Sequence, residues 1–137
     1  MKKLLLIIII AVLMANLCSC AAKQEDEVST PLLEQILAAI EDANYEQFQS
    51  CFLPEAYADK TAFKNGFEQV SLLYQGGPHS LVQEASNVKA DGFFEKTLTY
   101  TGSYTLSTDY GDFQVLFKVR QDGKSQPLAG GFSITLL

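Results

Sequence analysis

Three cysteines and one histidine are the residues of this sequence with the clearest capacity for chemistry. Cys18 and Cys20 are two positions apart at the end of a long apolar run, whereas Cys51 and His79 are isolated further along the chain. A metal site needs more ligands than one histidine and one isolated cysteine, and a nucleophilic thiolate needs a neighbour that lowers its pKa. The pair Cys18 and Cys20 is therefore the first place where function can be inferred.

We expect Cys51 and His79 to have ordinary structural surroundings. Cys51 lies in the apolar and aromatic stretch FQSCFLP, where a free cysteine behaves as a small buried hydrophobic residue. His79 follows a turn, where a lone histidine is usually a solvated surface residue. Asp109 and Asp112 fit a turn better than a metal site. The sequence thus predicts neither a bound metal nor a cofactor.

The segment before Cys20 has the parts of a secretory signal. Lys2 and Lys3 form a basic head, and an apolar core of twelve residues runs from Leu4 to Ala15. A membrane-spanning helix needs roughly 20 apolar residues, so this core is too short to cross a bilayer. Its length is typical of a signal-peptide core.

The end of this signal resembles the lipobox, the processing motif of bacterial lipoproteins. The motif has a Leu-like residue, two usually small residues and a cysteine, which here are Leu17, Cys18, Ser19 and Cys20. The resemblance implies cleavage after Ser19 and a fatty acyl group such as palmitate on the sulfur of Cys20. It predicts a signal peptide over 1–19 and a lipoprotein attached to the extracytoplasmic side of a cell membrane.

The mature chain is short and acidic. Cleavage after Ser19 would leave 118 of the 137 residues, and loss of Lys2 and Lys3 would change the formal net charge from −6 to −8. An acidic surface repels phosphate backbones, so we expect no nucleic acid as a partner. Residues 20–30, CAAKQEDEVST, are predicted to form the lipidated cysteine and a flexible tether, and residues 31–137 a single domain.

Three helices are predicted in the first half of that domain. The first begins at Thr30 or Pro31, which are suited to the N-cap and to the first helical position. A short second helix ends before Pro54, and a third runs from about Thr61 to Gln75. The inward-facing residues predicted for the second and third helices are Tyr45, Phe48, Cys51, Phe52, Phe63, Phe67, Val70 and Tyr74.

Antiparallel strands are predicted in the second half. From Phe93 to Ser107, apolar and aromatic residues alternate with Thr and Ser, which indicates a long strand with one buried face. Two more strands are predicted over FQVLFKV and GGFSITLL, after the turn signals DYGD and QDGK. An earlier strand, within Ser80 to Ala90, alternates poorly. This order predicts an α+β fold, with N-terminal helices packed on a curved antiparallel sheet.

The stretch LAAIEDANYEQFQSCFLPEA resembles the opening of nuclear-transport-factor-two-like domains, also called SnoaL-like or cystatin-like. A helix, here Ile36 to Ala43, precedes an acidic break, here Asp42 to Tyr45, and then a helix that ends in Phe-x-Pro, here Phe52 to Pro54. The resemblance covers about Thr30 to Leu137. It implies a cone-like α+β fold. The whole chain is also similar to small lipoproteins that carry such a domain, of unknown function, on a lipid tether.

Because that fold hosts enzymes and binding modules alike, the residues that face the cone must discriminate between them. Isomerases and hydrating enzymes of this fold need an acid–base pair inside. Tyr100 and Tyr104 are on the inward face of the long predicted strand, and the one carboxylate that could point inward is that of Glu84 on the earlier, irregular strand. We expect a lipid-anchored, non-enzymatic binding or interaction domain. The alternative is a small isomerase or dehydratase that uses Tyr100 or Tyr104 with Glu84.

The outward face of the sheet is predicted to be polar. Thr and Ser dominate it, and Leu116 and Leu137 are the only sizeable apolar residues of its last three strands. A stable pairing of two domains through this face would need a larger apolar patch. We therefore expect the soluble domain to be a monomer.

Overall fold

A computed structural model of the chain describes residues 28–137, in which three α-helices pack on a four-stranded antiparallel sheet. The α+β class is therefore confirmed. The predicted signal peptide, Cys20 and the tether up to residue 27 lie outside the described residues. Within 28–137, none of the helices combines the length and the apolar character needed to cross a membrane.

The elements are α1 (28–41), α2 (Tyr45–Ser50), a 3-10 helix (Pro54–Tyr57), α3 (Lys60–Leu73), β1 (His79–Asp91), β2 (Thr97–Thr108), β3 (Gly111–Asp122) and β4 (Leu128–Leu136).

The first helix starts earlier than the sequence predicted. Residues 28–30 are already helical, so the predicted start at Thr30 or Pro31 is wrong and Thr30 is not an N-cap. Val28 packs against the core and Ser29 is buried, which explains why the helix includes residues that the sequence placed in the tether. The apolar stripe of α1 is buried as expected, and it consists of Leu32, Leu33, Ile36, Leu37, Ala39 and Ile40.

The second and third helices lie close to their predicted positions. Side-chain oxygens cap both, since Asn44 Oδ1 accepts from the Gln47 amide at 3.1 Å and Asp59 Oδ1 from the Ala62 amide at 3.0 Å. Between these helices, the segment 51–53 runs parallel to β4, where the Leu53 amide donates to the Ala129 carbonyl at 2.8 Å. This segment therefore covers part of the β4 edge.

The sheet has the order β1-β2-β3-β4, and β1 is a full strand of 13 residues despite its irregular pattern. A bulge explains the irregularity. Gln83 pairs with Tyr104 and Ala85 pairs with Ser103, so Glu84 is an extra residue that shifts the alternation. Beyond the bulge β1 is exposed to its end, which removes the apolar signal that a half-buried strand would show.

The long strand β2 begins at Thr97, so the predicted start at Phe93 is wrong. Phe93 and Phe94 lie in the loop that joins β1 to β2, and they are 94% and 96% exposed. From Thr97 onward the predicted phase is confirmed, because the buried residues alternate as expected on both β2 and β3. The inner face of these two strands is built from Tyr100, Tyr104, Leu106, Phe113, Val115, Phe117 and Val119.

Candidate functional site

An aromatic groove lies between α2, α3 and β4. Its volume is about 540 Å³, and ligand pockets of proteins usually measure roughly 300–1,000 Å³. The groove is apolar along most of its length and has carboxylates at its rim. The residues that line it include Phe48, Phe52, Phe63, Phe67, Val70 and Phe132, with Glu55 and Asp59 at the rim.

The aromatic walls of the groove follow from helical spacing. Phe63, Phe67 and Val70 recur at intervals of four and three residues, so α3 presents them on one face. From α2, Phe48 packs between them, with ring centroids 4.9 Å from Phe67 and 5.5 Å from Phe63. The rings are tilted against one another, an arrangement that favours contact between their edges and faces. Phe132 of β4 closes the wall at 6.5 Å from Phe48.

Small residues create the space between these walls. Ala56, Ala58, Ala62 and Gly66 line the groove together with the phenylalanines, and a Cβ atom on Gly66 would meet nothing within 4 Å. The sequence predicted that the phenylalanines face inward, but it did not predict a groove. The signal that could have revealed it is the run of small residues at 56, 58, 62 and 66.

The two carboxylates at the rim are engaged in structural contacts. Glu55 Oε1 accepts from Nη1 and Nη2 of Arg120, each at 3.1 Å. A backbone hydrogen bond and then the Arg120 guanidinium lower the pKa of Glu55, so this carboxylate is ionised. Asp59 caps α3. With both carboxylates held in this way, the chemistry that the groove offers is apolar and aromatic contact.

The structure does not bring Glu84 together with Tyr100 and Tyr104. Both tyrosines are buried in the core, 3% and 1% exposed, on the inner face of β2 and away from the groove. Glu84 is exposed on the opposite face of the sheet, where its Oε1 accepts from the Thr105 hydroxyl at 3.0 Å. The register is the reason, because Gln83 pairs with the inward Tyr104 and its neighbour Glu84 therefore lies on the outer face.

A polar cluster surrounds His79 where β1 begins, so the expectation of a solvated histidine is wrong. His79 is partly buried, and its Nε2 donates to Glu34 Oε2 of α1 at 2.8 Å. Its Nδ1 lies 3.1 Å from the Gly77 carbonyl and 3.3 Å from the Tyr74 hydroxyl. Glu41 completes the cluster, since its Oε1 accepts from the Gly77 amide at 3.2 Å.

Two pKa values in this cluster are shifted upward. Burial alone would lower the pKa of His79, but the hydrogen bonds to Glu34 and Gly77 and the charges of Glu34 and Glu41 outweigh it and raise that pKa. Burial, with the nearby carboxylates, raises the pKa of Tyr74 to about 12. His79 is therefore protonated to a higher pH than a free histidine, and Tyr74 stays neutral at physiological pH.

Cys51 has the buried position expected from its sequence context. Its Sγ lies 3.4 Å from the Gln47 carbonyl, and burial raises the pKa of the thiol, although a hydrogen bond with Ser50 opposes that effect. A raised pKa disfavours the reactive thiolate. The contacts of Cys51 are therefore those of a core residue.

Comparison with known proteins adds no relatives from which a function can be transferred. Neither the models of known protein families nor the curated proteins give a match to this chain. Over residues 28–137, no group of three or more His, Cys, Asp or Glu side chains is placed to hold a metal ion. The functional interpretation therefore rests on the groove and on the signals in the sequence.

Proposed function

We propose that this chain is a lipoprotein whose α+β domain, held outside the membrane by lipid on Cys20, binds a small apolar molecule in the aromatic groove. The groove is the observation that carries the proposal. Its volume suits a small ligand, and its phenylalanine walls offer the apolar contact area on which binding of such ligands depends. The proposal includes a cone-like fold of the nuclear-transport-factor-two-like kind, supported by the order of helices and strands.

The arrangement of polar groups favours binding over catalysis. The isomerase or dehydratase alternative needs an acid–base pair close to a bound substrate. Glu84 lies on the opposite face of the sheet from Tyr100 and Tyr104, and the carboxylates of the groove are occupied by Arg120 and by the helix cap. This separation supports the binding proposal over the enzymatic alternative.

The charge of the chain favours a neutral ligand. Glu55 and Asp59 lie at the rim of the groove, and the whole chain carries a net negative charge. These charges disfavour the approach of an anion such as a fatty acid carboxylate. We therefore propose an uncharged, mainly hydrocarbon or aromatic ligand.

Binding by the groove is tested with Nile red, a neutral apolar dye that fluoresces in apolar surroundings. The chain from Lys23 to Leu137 keeps every described element, and it should bind the dye saturably. Gly66→Leu should abolish binding, because the new side chain has room in the groove and fills it. Glu68→Leu adds the same side chain at an exposed position of α3 and should leave binding unchanged.

Circular dichroism and thermal unfolding of both variants establish that they remain folded. Dye binding that Gly66→Leu leaves intact, or an absence of saturable binding by the unaltered chain, would contradict a ligand site in the groove.

The lipid anchor is tested separately in a bacterial host that processes lipoproteins. The full chain should incorporate labelled palmitate, and Cys20→Ser should remain unlabelled and uncleaved because the acceptor sulfur is gone. Cys51→Ser is the matched control and should be labelled normally. Continued labelling of the Cys20→Ser chain would show that another residue carries the lipid.

A further inference from the structure

Two phenylalanines form the most exposed aromatic feature of the described chain. Phe93 and Phe94 lie at the tip of the β1–β2 hairpin, almost fully exposed, with ring centroids 5.5 Å apart. The tip has a defined turn, since Gly92 has a φ of 104° and a Cβ there would collide with the Glu95 carbonyl. Exposure of two apolar rings to water is unfavourable, and burying them against a partner would be favourable.

The surroundings of the tip differ in charge from the rest of the domain. The β3–β4 loop lies beside it, since the Gly123 amide donates to the Lys96 carbonyl at 2.9 Å. Lysines and carboxylates are present there in equal number, so the net negative charge of residues 28–137 lies elsewhere. The charged residues at this end are Lys89, Asp91, Glu95, Lys96, Asp122 and Lys124. This end of the domain therefore repels an anionic surface less than the net negative charge of the domain alone would suggest.

The first helix directs the upstream chain toward the same end. Glu41 contacts Gly77, Glu34 contacts His79, and Thr30 lines a cavity together with Gln83. Moving backward along α1 thus corresponds to moving forward along β1, toward the tip. The N-terminal end of α1, at residue 28, therefore points toward the tip.

The distances allow the anchor and the tip to reach one surface. Ten strand residues separate Gln83 from Phe93, which is at most about 33 Å. Eight residues separate Cys20 from Val28, and fully extended they span about 26 Å. Thr30 and Gln83 line the same cavity, and the two helical residues from Thr30 to Val28 add about 3 Å, so a fully extended segment brings Cys20 to within a few Å of the level of the tip.

We propose that Phe93 and Phe94 insert into the interface of the bilayer to which Cys20 anchors the chain, an inference that rests on the proposed lipid anchor. Aromatic side chains are favourable at the headgroup level of a membrane. The lipid on Cys20 supplies the attachment, and the tip fixes the orientation of the domain on the bilayer. The proposed partner of the exposed tip is therefore the headgroup interface of a phospholipid bilayer.

Tryptophan fluorescence of the full lipidated chain tests this inference. The sequence contains no tryptophan, so Phe94→Trp and Phe93→Trp each introduce a single emitter at the tip. Leu72→Trp, at an 80% exposed position on the last turn of α3, is the matched control. Each protein is reconstituted into vesicles of phosphatidylcholine and phosphatidylglycerol, with or without bromine on the upper part of the acyl chains, and recovered by flotation.

We expect blue-shifted emission from both tip variants and loss of most of that emission in brominated vesicles. Leu72→Trp should keep the emission of a solvent-exposed indole in both kinds of vesicle. Two results would overturn the inference: tip variants that keep the emission of a solvent-exposed indole, or equal quenching of the tip and control variants. In either case, flotation of the protein with the vesicles would still support the anchor. A blue shift without quenching would mean that protein covers the tip, and would also overturn the inference. A chain that does not float would overturn both the anchor and this inference.

Discussion

His79 connects three parts of the chain at one end of the sheet. Through Glu34 it contacts α1, through Tyr74 the end of α3, and through Gly77 the turn that leads into β1. Both ring nitrogens lie next to acceptors, an environment that suits the doubly protonated imidazolium. The backbone at Gly76 allows this close approach, since its φ is 79° and a Cβ there would collide with the Glu41 side chain. At the residue scale, this cluster makes the stability of the domain depend on pH.

We predict that the His79 cluster loses its stabilising effect as pH rises. The folded-state pKa of His79 is raised above its value of about 6.5 in the unfolded chain. The contribution is therefore fully present below about pH 6.5 and is lost as pH rises through the higher folded-state pKa. The urea concentration at the unfolding midpoint of the chain from Lys23 to Leu137 should fall as pH rises across this window. The midpoint of the His79→Gln variant should fall less.

Glu34→Gln is the control for this prediction. It removes the carboxylate that raises the pKa of His79 most, so it should also flatten the pH dependence. Parallel curves for the unaltered chain and for His79→Gln would show that His79 does not cause the change.

At the scale of elements, the alternation of β2 and β3 determines what the sheet buries. Phe117 lies inward between the helices and the sheet, and Thr101 lies outward on the neighbouring strand. The register adds a detail that the sequence pattern lacks, since Lys118 is directly opposite Thr101. A lysine at 101 would face a like charge, whereas a glutamate would face an opposite one.

We predict that Phe117→Ala costs about 3–5 kcal/mol of unfolding free energy, because it leaves a cavity in a packed core. Thr101→Glu should change the unfolding free energy by less than about 0.5 kcal/mol, as is usual for a surface substitution. Denaturant unfolding of the two variants measures both values. Similar losses from the two substitutions would contradict the strand phase.

At the scale of the whole molecule, the exposed surfaces of the sheet offer little for self-association. Val82 is a further exposed apolar residue of the outer face, in addition to Leu116 and Leu137. Val82 pairs with Thr105, whereas Leu116 pairs with Ser103, so Val82 and Leu116 are not neighbours across the strands and the apolar residues are not contiguous. The segment 51–53 covers part of the β4 edge, and the exposed edge of β1 carries a bulge and Lys89. Bulges and lysines on an edge strand oppose pairing with another chain.

We predict that the chain from Lys23 to Leu137 is a monomer at micromolar concentration. Its outer face lacks the contiguous apolar area that a stable dimer needs. Sedimentation equilibrium over a dilution series is the measurement. A dimer that persists on dilution, and that Leu116→Glu dissociates, would identify the outer face as an interface.

Much of the fold could be predicted because its signals are local. A period of 3.6 residues marks α1 to α3, and a period of two marks β2 and β3, so helices, strands and their buried faces follow from neighbouring residues. The predictions failed where a distant contact overrides the local pattern. Val28 extends α1 because it meets the core, and the tip of the hairpin interrupts an alternation that began at Phe93.

The sequence by itself determined the α+β class, the inward faces of the helices and of β2 and β3, and the burial of Cys51, because each depends on residues a few positions apart. Only the tertiary structure decided the groove, the surroundings of His79 and the outward position of Glu84. Phe132 meets Phe48 across the core, Glu34 meets His79 across 45 positions of the chain, and the register of β1 places Gln83 inward and Glu84 outward. Such contacts depend on how whole elements pack and on strand register, which periodicity within a single element does not encode.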